Sequence, residues 1–150
     1  MTAKKEEKKT LLRNRKARFD YDIDETLETG IVLAGSEVKS LRAGNGSLVD
    51  AHVDVRKDEL FLVGAKVDHY LFANLANHEP IHDRKLLAHR HEIKKLATKV
   101  REKGSTIIPL EVYLKEGKIK VEIGLARGKR QYEKRDTSRL KEARKEMDEG

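Results

Sequence analysis

Apolar side chains return at every second position in two separate blocks of the chain, and both blocks predict the same element. In the first, Ala51, Val53 and Val55 alternate with His52, Asp54 and Arg56; a polar turn Lys57-Asp58-Glu59 follows, and Leu60 to Val63 resume the apolar run. In the second, Leu110, Val112 and Leu114 share one face, Glu116-Gly117 makes the turn, and Ile119, Val121, Ile123 and Leu125 run back. Period-2 alternation on both sides of a short polar turn is the pattern of a β-hairpin with one buried face. The opposite face of the second hairpin carries Lys115, Lys118 and Lys120. Phe19 to Leu33, which mixes Tyr21, Ile23, Leu27, Ile31 and Val32 with acids, is expected to be extended as well.

The period changes to 3.6 in two places. Ser36 as N-cap, Glu37 in the first turn, Val38 and Leu41 on one face and Gly44 as the stop predict a helix of about two turns. A longer helix over about His89 to Lys103 lines up Ile93, Leu96, Ala97 and Val100, turns Lys94, Lys95, Lys99 and Arg101 the other way, and ends at Gly104. Short antiparallel strands, few helices and no β-α-β alternation predict a mainly β fold with peripheral helices. The expected architecture is an oligonucleotide-binding-like antiparallel β-barrel with flexible basic N- and C-terminal tails. Its expected divisions are a basic segment 1–18, a barrel domain 19–127 and a tail 128–150 that stays disordered until it meets a partner. That tail holds only Tyr132, Leu140, Ala143 and Met147 as apolar groups, too few to build a core, although the last three fall on one helical stripe.

Charge sharpens this picture through its distribution. The formal net charge of the 150 residues is +7. Residues 1–18 carry eight Lys/Arg against two acids, residues 128–150 eight against six, and the stretch between them is almost neutral. Cationic ends on a neutral domain favour a polyanionic partner. The absence of cysteine removes disulfides, thiolate metal sites and thiol nucleophiles from consideration. No apolar run reaches the roughly 20 residues of a membrane span, so the expected compartment is the cytoplasm, with no membrane partner.

Catalytic and metal motifs are weak. His78-Glu79-Pro80-Ile81-His82 matches the H-E-x-x-H string, but Pro80 opposes the helix that would bring both histidines to one metal, and Asn74, Asn77 and Asp83 read as a solvated loop. No serine lies in a nucleophile-elbow context. The acids Asp20, Asp22, Asp24, Glu25 and Glu28 read as a solvated strand face, and Gly44 and Gly46 as a helix-ending turn. The expectation is therefore no enzyme, no cofactor and no metal. What remains is basic: Arg13-Asn14-Arg15-Lys16-Ala17-Arg18, Lys39 with Arg42, Arg84-Lys85 beside Leu86-Leu87, and Gly128-Lys129-Arg130. Aromatic residues make up only 5% of the chain, which disfavours base stacking along a single strand and favours a folded RNA read by shape and backbone.

These same words carry a family resemblance. Asn14-Arg15-Lys16-Ala17-Arg18, the run ETLETGIVLAGSEVKSLRAG from Glu25 to Gly44, Arg84-Lys85-Leu86-Leu87, and Gly128-Lys129-Arg130 followed by Glu133-Lys134-Arg135 resemble the SmpB family of SsrA-binding proteins over nearly the whole chain. The resemblance implies a protein that binds the tRNA-like domain of transfer-messenger RNA and brings it to stalled ribosomes for trans-translation. It implies Asn14, Glu28, Leu87 and Lys120 as RNA-facing residues with Lys39, Arg42 and Lys85 in support, to which the basic segment adds Lys16 and Arg18. For Glu28 and Leu87 a purely structural role stands as the alternative. It further implies that the tail, through Gly128, Lys129, Arg130, Glu133, Lys134 and Arg135, meets the decoding region of the small subunit. Elongation factor Tu is an implied partner through the shared RNA. The chain departs from the family's usual pattern at Phe19, Asp22, Arg130 and Glu133.

Overall fold

Both alternating blocks fold as hairpins, and the strands between and around them close into a ring. The computed structural model describes residues 8–71 and 77–128. In chain order the elements are β1 (Lys8–Arg13), α1 (Ala17–Asp20), β2 (Tyr21–Ile31), α2 (Gly35–Arg42), β3 (Gly46–Ser47), β4 (His52–Arg56), β5 (Glu59–Val63), β6 (Lys66–Val67), β7 (Arg84–Leu87), α3 (Arg90–Lys103), β8 (Thr106–Lys115) and β9 (Lys118–Gly128). Lys57 and Asp58 turn the first hairpin with φ of 50° and 61°, and Glu116 and Gly117 turn the second with 52° and 77°. Such left-handed pairs twist in the sense that antiparallel strands require.

Strand β8 pairs with β4, β4 with β5, β5 with β7, β7 with β2, β2 with β9, and β9 returns to β8, all antiparallel. The interior is filled by alternate residues of these strands, among them Val53, Leu60, Leu62, Leu86, Ile107, Val112, Val121, Ile123 and Leu125. Each large aliphatic side chain removed from water contributes about 1.5–3 kcal/mol. Leu41 of α2 and Ile93 and Leu96 of α3 join the same core, so both helices pack their apolar stripes on the barrel. Gly44 and Gly104 sit beyond them with φ of 76° and 62°, the left-handed stops expected of them.

Four expectations are corrected. Lys8–Arg13 is no tail: it adds an edge strand to β8, with Leu12 in the core, and its lysines and threonine hid the strand pattern as they do on many sheet edges. Phe19 and Asp20, expected to be extended, belong to α1, a single turn whose Ala17 packs with Ile108, Leu110 and Ala126 in a second, smaller cluster. Leu110 does not share a face with Val112. Pro109 pairs with Ile123 and Glu111 with Glu122, leaving Leu110 as the extra residue of a bulge, which turns it to the outer cluster. Ala34, not Ser36, is the N-cap of α2, and its N–H donates to Glu37 Oε1 at 2.9 Å.

Candidate nucleic-acid interface

The outer face of the barrel is set by what points inward. Leu86, Thr29, Val121 and Val112 point into the barrel, so their neighbours Leu87, Gly30, Lys120 and Tyr113 point to the opposite side of the sheet, where Tyr113 is itself covered. These four stand in one row, because Leu87 is paired with Gly30, Gly30 with Lys120 and Lys120 with Tyr113. Thr10 of β1 extends it. Leu87 is 49% exposed, which sets aside a core role for it. Gly30 allows this packing: a Cβ there would stand 3.3 Å from Leu87 Cβ, closer than ordinary contact.

A second row lies alongside, two residues along β2, β9 and β8 and three along β1, where the register shifts. Glu28 is paired with Glu122, Glu122 with Glu111 and Glu111 with Arg13. Thus Glu28, Leu87 and Lys120, far apart in the chain, share one continuous face, with Lys85 two residues before Leu87 on the same side of β7. Glu28 accepts from the Tyr113 hydroxyl and from Lys115 Nζ, the latter at 3.2 Å. The Tyr113 hydrogen bond first, and then Lys115 against partial burial, hold the Glu28 carboxyl below the usual carboxylate range. Burial and the Glu28 carboxylate push the Tyr113 hydroxyl up, so Tyr113 remains a neutral donor. Lys8 Nζ lies 4.3 Å from the Tyr113 ring centroid and 3.2 Å from Glu111 Oε2.

At the β1 end the face opens into a cleft of about 450 Å³ lined by Arg13, Asn14, Arg15, Arg18, Leu110, Glu111 and Glu122. Asn14 does not present its side chain as a free contact. Its Nδ2 donates to Pro109 O at 2.9 Å, its Oδ1 accepts from Ala17 N–H at 3.3 Å, and its own N–H bonds Leu110 O. It shapes the turn from which Arg13, Arg15, Lys16 and Arg18 project, all of them exposed.

Other expected residues are more dispersed. Lys85 is exposed and 3.4 Å from Glu59. Lys39 and Arg42 are exposed on α2, with Lys39 Nζ 5.4 Å from the Tyr70 ring centroid. Gly128 ends β9 opposite Tyr21, while Lys129, Arg130, Glu133, Lys134 and Arg135 lie outside the described residues. Tyr113 and Gly30 were missed by sequence reasoning. The available signal was a tyrosine at an outward strand position between Glu111 and Lys115, where a solvated face would carry a polar group.

The H-E-x-x-H segment is the irregular, mostly exposed loop expected of it, with His78 as the exception. His78 is buried, its Nε2 donating to Val67 O and its Nδ1 accepting from Ser36 Oγ, both at 2.8 Å. His82 instead meets Glu37, 2.9 Å away. The two histidines thus tie this segment to α2 at different points. Among the described residues there is no group of three or more His, Asp or Glu that could hold a metal ion, and no helix long and apolar enough to cross a membrane.

With this geometry in place, comparison with known proteins is consistent from end to end. The family model described as "SmpB protein" matches residues 11–150. A protein named SsrA-binding protein from Acetivibrio thermocellus is 49% identical over 144 residues, 96% of this chain and 94% of the relative. One of the same name from Symbiobacterium thermophilum is 50% identical over 148 residues, covering 98% and 94%. Among solved structures, a chain from "tmRNA-SmpB: a journey to the center of the bacterial ribosome" superimposes with a TM-score of 0.67 at 46% identity, over 79% of this chain and 84% of that one.

Proposed function

The chain belongs to the SmpB family, and from that premise we propose that it binds the tRNA-like domain of transfer-messenger RNA and accompanies it to stalled ribosomes for trans-translation. The observation that carries the reading is the assembly of Glu28, Leu87 and Lys120 on one outer face from three strands distant in sequence. That face combines a cation for phosphate, an acceptor for base or ribose donors and an apolar surface for a base or sugar. Folded RNA with unpaired loops displays all three kinds of group, whereas a regular duplex displays mainly phosphate and ribose. The exposed Arg13, Arg15, Lys16 and Arg18 extend the cationic margin, and Asn14 acts by shaping their turn.

Partners follow from the same premise. The relatives are named for binding SsrA, and the structural neighbour comes from a ribosomal assembly. Lys39, Arg42 and Lys85 supply further phosphate contacts. The segment from Gly128 through Arg135 enters the empty message channel near the decoding centre. Elongation factor Tu meets the complex through the shared RNA. The protein works in the cytoplasm as a binding protein and catalyses no step itself.

A gel-shift competition tests the reading. Labelled tRNA-like RNA bound to the full chain should be displaced by unlabelled tRNA-like RNA at far lower concentration than by unstructured RNA of equal length. Equal displacement by the two would identify a general single-strand binder instead.

A further inference from the structure

Tyr113 is the most deeply buried group on a face otherwise made largely of charged side chains. Only 2% of it is exposed. Its ring lies under Lys8, and its hydroxyl reaches from β8 across β9 to Glu28 Oε2 on β2, 85 residues away in sequence. Lys115 Nζ approaches Glu28 Oε2 at 3.2 Å and Oε1 at 3.4 Å. Among the described residues both donors therefore gather on Oε2, and Oε1 has the longer contact. The side chain of Glu28 is nevertheless 40% exposed, so a carboxylate anchored mainly through Oε2 still meets solvent.

We propose that Tyr113 is a positioning residue for RNA recognition, fixing the Glu28 carboxylate so that Oε1 accepts a hydrogen bond from an N–H or 2′-hydroxyl donor of an unpaired nucleotide. This rests on the reading of the outer face as the RNA surface. A glutamate free on a strand samples several rotamers, and selecting one at the moment of binding opposes binding. Tyr113 removes that opposition beforehand, since a tyrosine has few rotamers and this one is locked by burial. An ionised carboxylate accepts only and repels phosphate, so its RNA partner is a donor group. Lys120, directly across from Tyr113, remains for the phosphate.

The test is a double-mutant cycle in the full chain. Tyr113→Phe keeps the ring beneath Lys8 and deletes only the hydroxyl. It should weaken binding of a tRNA-like RNA by about tenfold, the scale of one hydrogen bond to a charged group. Because no phosphate contact is lost, the slope of affinity against salt should be unchanged. In a Glu28→Gln background the same change should have almost no further effect. Wild-type affinity in Tyr113→Phe, or losses that multiply when the two changes are combined, would overturn the inference.

A loss of binding matched by a loss of folded protein in thermal melts would reduce Tyr113 to a packing residue. If Glu28→Gln and Lys120→Ala both bind normally, the assignment of the face itself is wrong. Pools of the RNA carrying 2′-deoxynucleotides or inosine for guanosine separate ribose from base as the donor. The interference that Glu28→Gln abolishes marks it, and an interference pattern unaltered by that variant would refute the donor reading.

Discussion

Arg84 Nε donates to Glu37 Oε2 at 2.5 Å, with side chains 1% and 3% exposed, so an ion pair is sealed between β7 and α2. Arg84 also donates to the carbonyls of Ala65 and Pro80, at 2.9 and 3.1 Å, and Glu37 accepts the Ala34 N–H. The pair therefore holds together α2, the stretch around Ala65 and the segment that contains His78 and His82. Burial alone would push the Glu37 carboxyl up, but the Ala34 N–H, Arg84 and His82 outweigh it and hold it below the usual carboxylate range.

Removing one partner of such a pair leaves a buried, uncompensated charge. Glu37→Gln should lower unfolding free energy by about 3–5 kcal/mol, measured by denaturant titration at neutral pH. Adding Arg84→Met to Glu37→Gln should restore part of that loss, since no buried charge is then stranded.

The same pair sets a pH dependence with a definite sign. A carboxyl whose folded pKa is depressed contributes its full stability above the unfolded value, and loses it as pH falls through the folded one. Wild-type stability should therefore decline below about pH 5, the upper end of ordinary carboxylate titration. The decline should be shallower in Glu37→Gln, with the remainder carried by Glu25 and Glu28, whose carboxyls are also held low by Lys99 and Tyr113 respectively. Parallel pH profiles for the two proteins would contradict this.

Gly30 separates binding from stability. Gly30→Val introduces a Cβ that meets Leu87 and displaces its side chain, while valine itself suits a strand. Thermal stability should change by less than about 1 kcal/mol and affinity for tRNA-like RNA should fall roughly fivefold or more. Melting curves and binding isotherms on the same preparation decide it; full affinity would remove Leu87 from the interface.

The tail should separate RNA binding from ribosome function. Beyond Arg130 the chain has few apolar residues and many at helical spacing that are basic, including Lys134, Arg139, Lys141 and Lys145. A chain truncated after Arg130 should bind tRNA-like RNA as the full chain does and fail to support tagging on stalled ribosomes. Tagging at full rate would refute the role proposed for this segment.

What was legible in the sequence was local. The two hairpins declared themselves by period-2 alternation around Lys57-Asp58 and Glu116-Gly117, and α3 by its stripe and Gly104, because the signal for each lies within its own residues. What escaped depended on residues far away. The bulge at Leu110 is invisible until Pro109 and Glu111 are matched to Ile123 and Glu122. His78 looked solvated because its partners Ser36 and Val67 are 42 and 11 residues distant. The site divides in the same way. Glu28, Leu87 and Lys120 could be named from the family's words, but that they share a face follows from the pairing of β7, β2 and β9. Asn14, named with them, lines the cleft at the β1 end while its side chain is engaged with Pro109 and Ala17, a pairing no local pattern announces.

The claim that a particular face, rather than total charge, recognises the RNA is tested most directly by comparing two single-lysine changes. Lys120 lies in the outer row beside Gly30 and Tyr113, whereas Lys94 is exposed on α3, so each substitution by alanine removes one surface cation. Binding of a tRNA-like RNA should weaken by about fivefold to tenfold in Lys120→Ala, with the salt slope reduced by roughly one. Lys94→Ala should bind as the unmodified chain does. Equal losses in the two variants, or a greater loss in Lys94→Ala, would contradict a defined RNA face.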